Sequence, residues 1–323
     1  MNAYPIKFNP ILKQKVWGGN KLKNILNKDS EKNNIGESWE ISGVSQNISV
    51  VNNGCYKGDS LTGLLSTYTT DFLGEDNFKV YGNEFPLLIK FLDAETNLSV
   101  QVHPDDEMAR AHNSFGKTEM WYIMDSDDDA EIILGLNKNQ EDLSVLEHVT
   151  GQNVYDVFNA IKVQEGAHYF IPAGKVHAIG AGVLAAEIQQ TSDITYRVYD
   201  WDRADVSGNT RDLHIEEAIL ATKRFDEVLE MKDQSCANTN TNTLVHCEFF
   251  TTNLLKVKKE STINYGSLDS FVIFMCVEGE GVVTVNNHTE PITKGETILI
   301  PACASQVVVR GDNLQLLEVY IKN

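Results

Sequence analysis

Two stretches of this chain carry one pattern. Gly166-AHYFI-Pro172-AGKV-His177 and Gly295-ETILI-Pro301-ACAS-Gln306 place a glycine, an apolar run, a proline and a polar residue at matching intervals. A unit that occurs twice implies a fold assembled from two copies of one β-structure. The surrounding texture agrees. PLLIKFLDA (86–94), LSVQVHP (98–104), EMWYIMD (119–125), AEIILGL (130–136) and HYFIPAG (168–174) are short β-rich runs parted by glycine or Asn/Asp turns. FFTTNLLKVKK (249–259), SFVIFMCVEG (270–279), GVVTVNN (281–287), ETILIPA (296–302) and NLQLLEVYIK (313–322) repeat the texture later. The expected fold is mainly β, a double β-barrel of two antiparallel units with a few covering helices.

Two segments carry helical spacing instead. Asp142 to Ile161 places Leu143, Leu146, Val149, Val154, Val157, Phe158 and Ile161 on one stripe, and Ile215 to Leu229 does so with Ile215, Ala218, Ile219, Phe225 and Val228. Both are expected to cover a sheet edge or barrel end. MKDQSCANTNTNT, from Met231 to Thr243, is polar and aperiodic, as a surface connection would be. It divides the chain into an N-terminal domain of residues 1–235 and a C-terminal barrel of residues 236–323. In the second copy Gln306 stands where the first has His177, and no pair of histidines precedes it. The first barrel is therefore expected to bind a metal and the second to support it without one.

Charge narrows the partners. With 46 acidic and 27 basic side chains the net charge is −19, which disfavours nucleic acid and anionic membranes, so a phosphorylated ligand needs a locally basic pocket. The 323 residues, 42% of them hydrophobic, suffice for a large core. Cys55, Cys236, Cys247, Cys276 and Cys303 are odd in number and never paired as C-x-x-C, so they are expected as free thiols in a reducing compartment. No apolar run reaches about 18 residues, and Met1 to Pro10 lacks a secretion signal. A cytoplasmic protein is expected, a monomer or weak homodimer.

The chemistry is carried by a small constellation. Residues two apart on a strand share a face, so Gln101 and His103 can enter the barrel together while Val100 and Val102 turn away. Glu119 opens the next run after a turn at Gly116, and His177 closes the repeat motif. Two imidazoles, a carboxylate and an amide oxygen suit one zinc or another borderline divalent ion.

The motif G-AHYFI-P-A-G-KV-H resembles the second motif of the cupin superfamily. WGG (17–19), GESWEIS (36–42), PLLIKFLDA, LSVQVHPDD, GKTEMWYI, IPAGKVHAIG and EIQQTSDITYRVYDWDR (187–203) follow, in order, the short bacterial branch of the type I phosphomannose isomerases. That resemblance implies an aldose–ketose isomerase that interconverts mannose 6-phosphate and fructose 6-phosphate with one Zn2+ per chain. It also implies that Gln101, His103, Glu119 and His177 are the metal ligands. Lys90, Ser99, Arg197 and Arg203 fall where the family binds the sugar phosphate, and Lys117, Glu187 and Asp193 fall among its active-site polar residues. The chain lacks the long helical insertion of larger members, and their H-K-P-E stretch reads Gly116-Lys117-Thr118-Glu119 here, without the histidine.

Moving a carbonyl between C1 and C2 requires removal of a proton beside a carbonyl, which leaves an enediolate. A divalent ion can stabilise that charge, and a positioned base can carry the proton. Lys117, Glu187, Asp193 and His168 remain open as the base, and Glu187 can equally orient a ligand histidine. Arg197 and Arg203 suit phosphate because their forks match its oxygens in pairs. Trp17, with Trp39, Tyr196 and Trp201, is a candidate wall of the sugar site. Two rival readings are an iron-dependent oxygenase and a non-enzymatic sugar-binding double barrel. A fourth ligand at Gln101 and the cations at 90, 117, 197 and 203 favour an anionic sugar.

Overall fold

Strands such as LLIKFLDA are buried on both faces because they lie between two other layers. In the computed structural model, which describes residues 1–140, 142–204, 208–225 and 241–322, the first part of the chain forms β1 Ile11–Gly19, β2 Ile35–Ile41, β3 Leu87–Ala94, β4 Val100–Val102, β5 Glu119–Ser126, β6 Glu131–Leu136, β7 Phe158–Lys162, β8 His168–Ile171, β9 His177–Ile179, β10 Val183–Gln190 and β11 Tyr196–Tyr199. Hydrogen bonding gathers them into one sheet ordered β1-β2-β3-β10-β5-β8 and a second ordered β11-β4-β9-β6-β7. The later part forms β12 Thr241–His246, β13 Thr251–Val257, β14 Glu260–Asn264, β15 Val272–Val285, β16 His288–Thr293, β17 Thr297–Ile300 and β18 Gln306–Tyr320, joined in a third sheet.

Alternation assigns each residue its layer. Leu92, Trp121, Ile123, Val183 and Ala185 of the first sheet meet Ile132, Leu134 and Ile179 of the second in one core. On its other face the first sheet turns Ile89, Phe91, Met120, Tyr122 and Ile188 toward Ile273, Met275, Leu317 and Val319 of the third. The second sheet turns Val100, Val102, Ala178 and Val198 outward, under Leu146, Val154 and Ala218 of the covering segments. The expected barrels are thus open sheets stacked face to face, and the molecule is mainly β as expected.

The repeat is real in backbone as well as letters. Gly166 and Gly295 both adopt left-handed φ values, +83° and +88°, which side-chain-bearing residues rarely take. Each glycine leads into the equivalent short strand, β8 or β17. The units diverge at the motif's end, where His177 is buried and Gln306 is exposed.

Three expectations about elements change. The stripe from Asp142 to Ile161 is not one helix but a 3-10 segment Leu143–His148, one turn at Val154–Val157 and strand β7. Asn153, which donates to the His148 carbonyl and accepts from the Thr150 amide, ties a turn between them. Val157 to Ile161 are β-branched or aromatic in part, and β6 offers them a sheet edge. The second helix is shorter than expected, Ile215–Ala221: Thr222 already has an extended backbone and Thr222 to Phe225 are not helical, while Asp226 to Leu229 lie outside the described residues, as do the proposed boundary at 235/236 and Cys236. Thr241 to Thr243, expected in the connection, begin β12. The helices Leu61–Leu73 and Glu75–Tyr81 were not anticipated. Ser60 caps the first by accepting from the Gly63 amide, and its Leu61, Leu64, Leu65 and Phe72 join the core under the first sheet. No helix among the described residues is long and apolar enough to cross a membrane.

Candidate functional site

Between the first two sheets the apolar core gives way to polar side chains at one end. Gln101 enters from β4, His103 from the position just after that strand, His177 from β9 and Glu119 from β5, with Gln101 paired directly opposite His177 in the ladder. His103, Glu119 and His177 are at most 1% exposed, and their ligand atoms lie within 4.8 Å of one another.

The histidine tautomers follow from their second contacts. His103 Nδ1 lies 2.9 Å from the Ile194 carbonyl and His177 Nδ1 lies 2.8 Å from the Lys175 carbonyl. A carbonyl only accepts, so each Nδ1 carries the proton and each Nε2 presents a bare lone pair to the centre. Burial holds both imidazoles neutral, His177 down to about 3 and His103 well below its usual range.

Glu119 makes the arrangement informative. Its Oε1 is buried without a hydrogen-bond partner, although it lies 3.3 Å from His177 Nε2. Two acceptors facing each other at that distance call for a cation between them. Burial pushes the Glu119 carboxyl above its usual range, against the pull of Lys117. Lys117 donates to Glu119 Oε2 at 2.7 Å and to His103 Nε2 at 2.8 Å, so an ammonium already takes part of a cation's contacts. Gln101 completes the ring, its amide 3.4 Å from His177 Nε2 and its Oε1 accepting from Ser99. The donor set fits a metal ion.

An open cleft of about 120 Å³ adjoins this centre and is lined by Trp17, Lys90, Ser99, Gln101, Lys117 and Glu187, with Asp193, Arg197 and Arg211 toward its mouth. Lys90 donates to Glu187 Oε2 at 2.9 Å and to Gln189 Oε1 at 2.6 Å, while Trp121 Nε1 donates to Glu187 Oε1 at 2.9 Å. Burial opposes both charges, but Lys90 and Lys117 hold Glu187 well below the carboxylate range, and Glu187 with Glu37 holds Lys90 above its usual value. A larger cleft of about 970 Å³, lined by residues such as Leu136, Lys138, Lys175 and Phe225, opens elsewhere and holds no histidine–carboxylate cluster among the described residues.

Most of the expected site residues converge here, and some do not. His168 alternates with Tyr169 on β8 and sits opposite Tyr122, on the face turned to the third sheet, so it cannot serve as the base. Tyr196 and Trp201 pack on the outer face of the second sheet, leaving Trp17 and Trp39 as the aromatic walls. Arg203 engages Asp200, Thr96 and the Asn97 carbonyl instead of the cleft. Arg211, Glu37 and Lys15 line the cleft unannounced. Glu37 shared a strand face with Trp39, a signal available in GESWEIS; Arg211 offered none, since only the returning chain brings it there.

The chain is similar to known proteins over nearly its whole length. Residues 6–141 match the model of phosphomannose isomerase type I, catalytic domain, and residues 240–321 match that of mannose-6-phosphate isomerase, cupin domain. The mannose-6-phosphate isomerase ManA of Bacillus subtilis (strain 168) is 35% identical over 316 residues, 96% of this chain and 97% of that one. The mannose-6-phosphate isomerase of Streptococcus mutans serotype c is 34% identical over 96% of each chain. A crystal structure of the mannose 6-phosphate isomerase from Bacillus subtilis superposes with a TM-score of 0.87 at 33% identity, covering 98% of this chain and 99% of that one.

Proposed function

Because the chain belongs to the type I phosphomannose isomerases, we propose that it interconverts mannose 6-phosphate and fructose 6-phosphate by proton transfer through an enediolate, with one zinc ion per chain. The observation that carries this reading is the pair of facing acceptors, Glu119 Oε1 and His177 Nε2, beside a cation-lined cleft. His103, Glu119 and His177 would hold the ion, and Gln101, with its amide turned end for end, would offer its oxygen as a fourth donor, a set that suits zinc. When bound, zinc supplies Lewis acidity against the negative charge of the enediolate.

The chain's own groups do the rest. Lys117 carries the proton between C1 and C2. Elimination supports it: both oxygens of Glu187 are engaged and its acidity makes it a poor base, Asp193 stands exposed at the mouth, and His168 faces away, whereas the contacts of Lys117 to Glu119 and His103 are ones a bound ion would take over, which would release it beside the cleft once it gives up a proton. Glu187 acts by fixing Lys90, while Lys90, Ser99 and Trp17 contact the sugar. Arg197 takes the phosphate: its Nε is buried without a partner, while Nη1 is anchored on the Asp212 carbonyl. Arg203 supports the mouth through Asp200, and Asp193 receives sugar hydroxyls there.

A coupled assay of mannose 6-phosphate isomerisation, with metal content measured on the same sample, tests the reading. Activity should vanish on chelation and return with zinc. Full turnover from metal-free protein would overturn it, as would stoichiometric zinc with no isomerisation.

A further inference from the structure

Beside the mouth of the cleft two arginines meet one carboxylate. Asp200 is only 6% exposed and is gripped from two sides: Arg203 Nη2 donates to Oδ1 at 2.5 Å, while Arg211 donates through Nε to Oδ2 at 2.7 Å and through Nη2 to Oδ1. That is a two-pronged pairing for Arg211, which fixes the plane of its guanidinium. Its remaining nitrogen, Nη1, makes no hydrogen bond to any described residue, and the side chain lines the cleft beside Arg197.

The backbone is bent to make this meeting possible. Trp201 and Asp202, directly after Asp200, both adopt left-handed conformations with φ of 58° and 53°, a costly choice for side chains of that size. The turn closes with the Arg203 amide donating to the Asp200 carbonyl at 3.2 Å. Two further bonds secure it: Trp201 Nε1 donates to the Leu98 carbonyl at 2.7 Å and Tyr199 Oη donates to Asp202 at 2.7 Å. Strain held this firmly beside a cleft is the mark of a functional constraint.

The charge balance supplies the ligand's chemistry. Lys15, Lys90, Lys117, Arg197 and Arg211 line the cleft against Glu37, Glu187 and Asp193, an excess of cations in a protein whose net charge is −19. Among the described residues, Arg197 Nε and Arg211 Nη1 have no hydrogen-bond partner. We propose that Arg211 is a second phosphate-binding arginine of the cleft, and that Asp200 is the positioning residue that aims it. The proposal deepens the reading of the cleft as a sugar-phosphate site and rests on it. The recognised group is a dianionic phosphate, borne by a sugar or free.

The test compares wild type with Arg211→Ala and Asp200→Asn in steady-state isomerisation of mannose 6-phosphate, and in direct binding of inorganic phosphate by calorimetry, with zinc content measured throughout. Arg211→Ala should raise KM roughly tenfold to a hundredfold, as loss of a charged hydrogen-bonding partner does, with kcat within about threefold and zinc unchanged. Phosphate affinity should fall by a similar factor. Asp200→Asn should move the same two quantities in the same direction, because a guanidinium released from its clamp binds less well. Unchanged KM and phosphate affinity in Arg211→Ala overturn the proposal, and so does a fall in kcat alone. If Arg211→Ala does not fold, Arg211→Gln, which keeps length and polarity, decides by the same readings. Phosphate binding that depends on Arg211 in a protein without isomerase turnover would sink the isomerase reading and leave this one standing.

Discussion

The Lys117 ammonium lies 2.8 Å from His103 Nε2, so a protein cation competes for a contact that a metal ion would make. Replacing it with an uncharged chain of similar length separates metal binding from proton transfer. Lys117→Met should bind zinc at least as tightly as wild type and lose turnover by roughly a hundredfold or more, the usual contribution of a general base. Zinc titration followed by the coupled assay checks both halves, and near-normal turnover would remove Lys117 from the proton path.

His177→Ala leaves the ion with two strong donors and the Gln101 amide. Zinc should raise the melting temperature of wild type by mass action, and the variant should show a much smaller rise at the same free zinc. An equal rise in both would place the ion elsewhere.

Lys90 and Glu187 are a buried ion pair, with side chains 7% and 5% exposed. Glu187→Gln keeps the shape and strands the Lys90 charge, which should cost about 3 kcal/mol by the usual penalty for breaking such a pair. Urea unfolding of apo protein measures it, with Lys90→Met/Glu187→Gln together expected to recover part of the loss.

The same pair sets an acid limit. The folded carboxyl of Glu187 is depressed by Lys90 and Lys117 over the opposing effect of burial, and that of Asp200 by Arg211 and Arg203 in the same way. A depressed folded value means stability that is present above the unfolded value, about 4 for these groups, and lost as pH falls through the folded one. Unfolding free energy should therefore decline below about pH 4 more steeply in wild type than in Glu187→Gln. Parallel slopes would show that the carboxylate is not held as described.

Gly295 tests the second copy of the repeat. Its φ is +88°, and a Cβ there would lie 2.6 Å from Leu26 Cβ. Gly295→Ala should destabilise by about 1–3 kcal/mol through strain and overpacking, while leaving zinc content unaltered. A neutral result in thermal unfolding would mean that the loop and Leu26 yield together.

Much of the site was legible because strand periodicity is a local property. Gln101 and His103 had to share a face once LSVQVHP was a strand, and Val100 and Val102 had to take the other. The glycine before each repeated strand marked the start of the motif, and the structure alone showed that both are left-handed. The stripe from Asp142 to Ile161 misled for a matching reason. Apolar residues three and four apart satisfy a helix, but the same residues also suit a 3-10 turn followed by a strand, and the open edge of β6 decided between them.

Letters and spacing alone determined that the chain is mainly β, that its motif occurs twice, and that four metal-competent side chains lie in the first copy. They determined these because a strand's alternation and a motif's spacing depend on near neighbours. Which charges meet was decided only in three dimensions. Asp200 gathers Arg203 and Arg211, Lys117 leans on His103, and His168 is turned from the cleft by the register of β8 against β5. Electrostatic partnership depends on distance through space, and residues far apart in the chain acquire that distance only when the sheets stack.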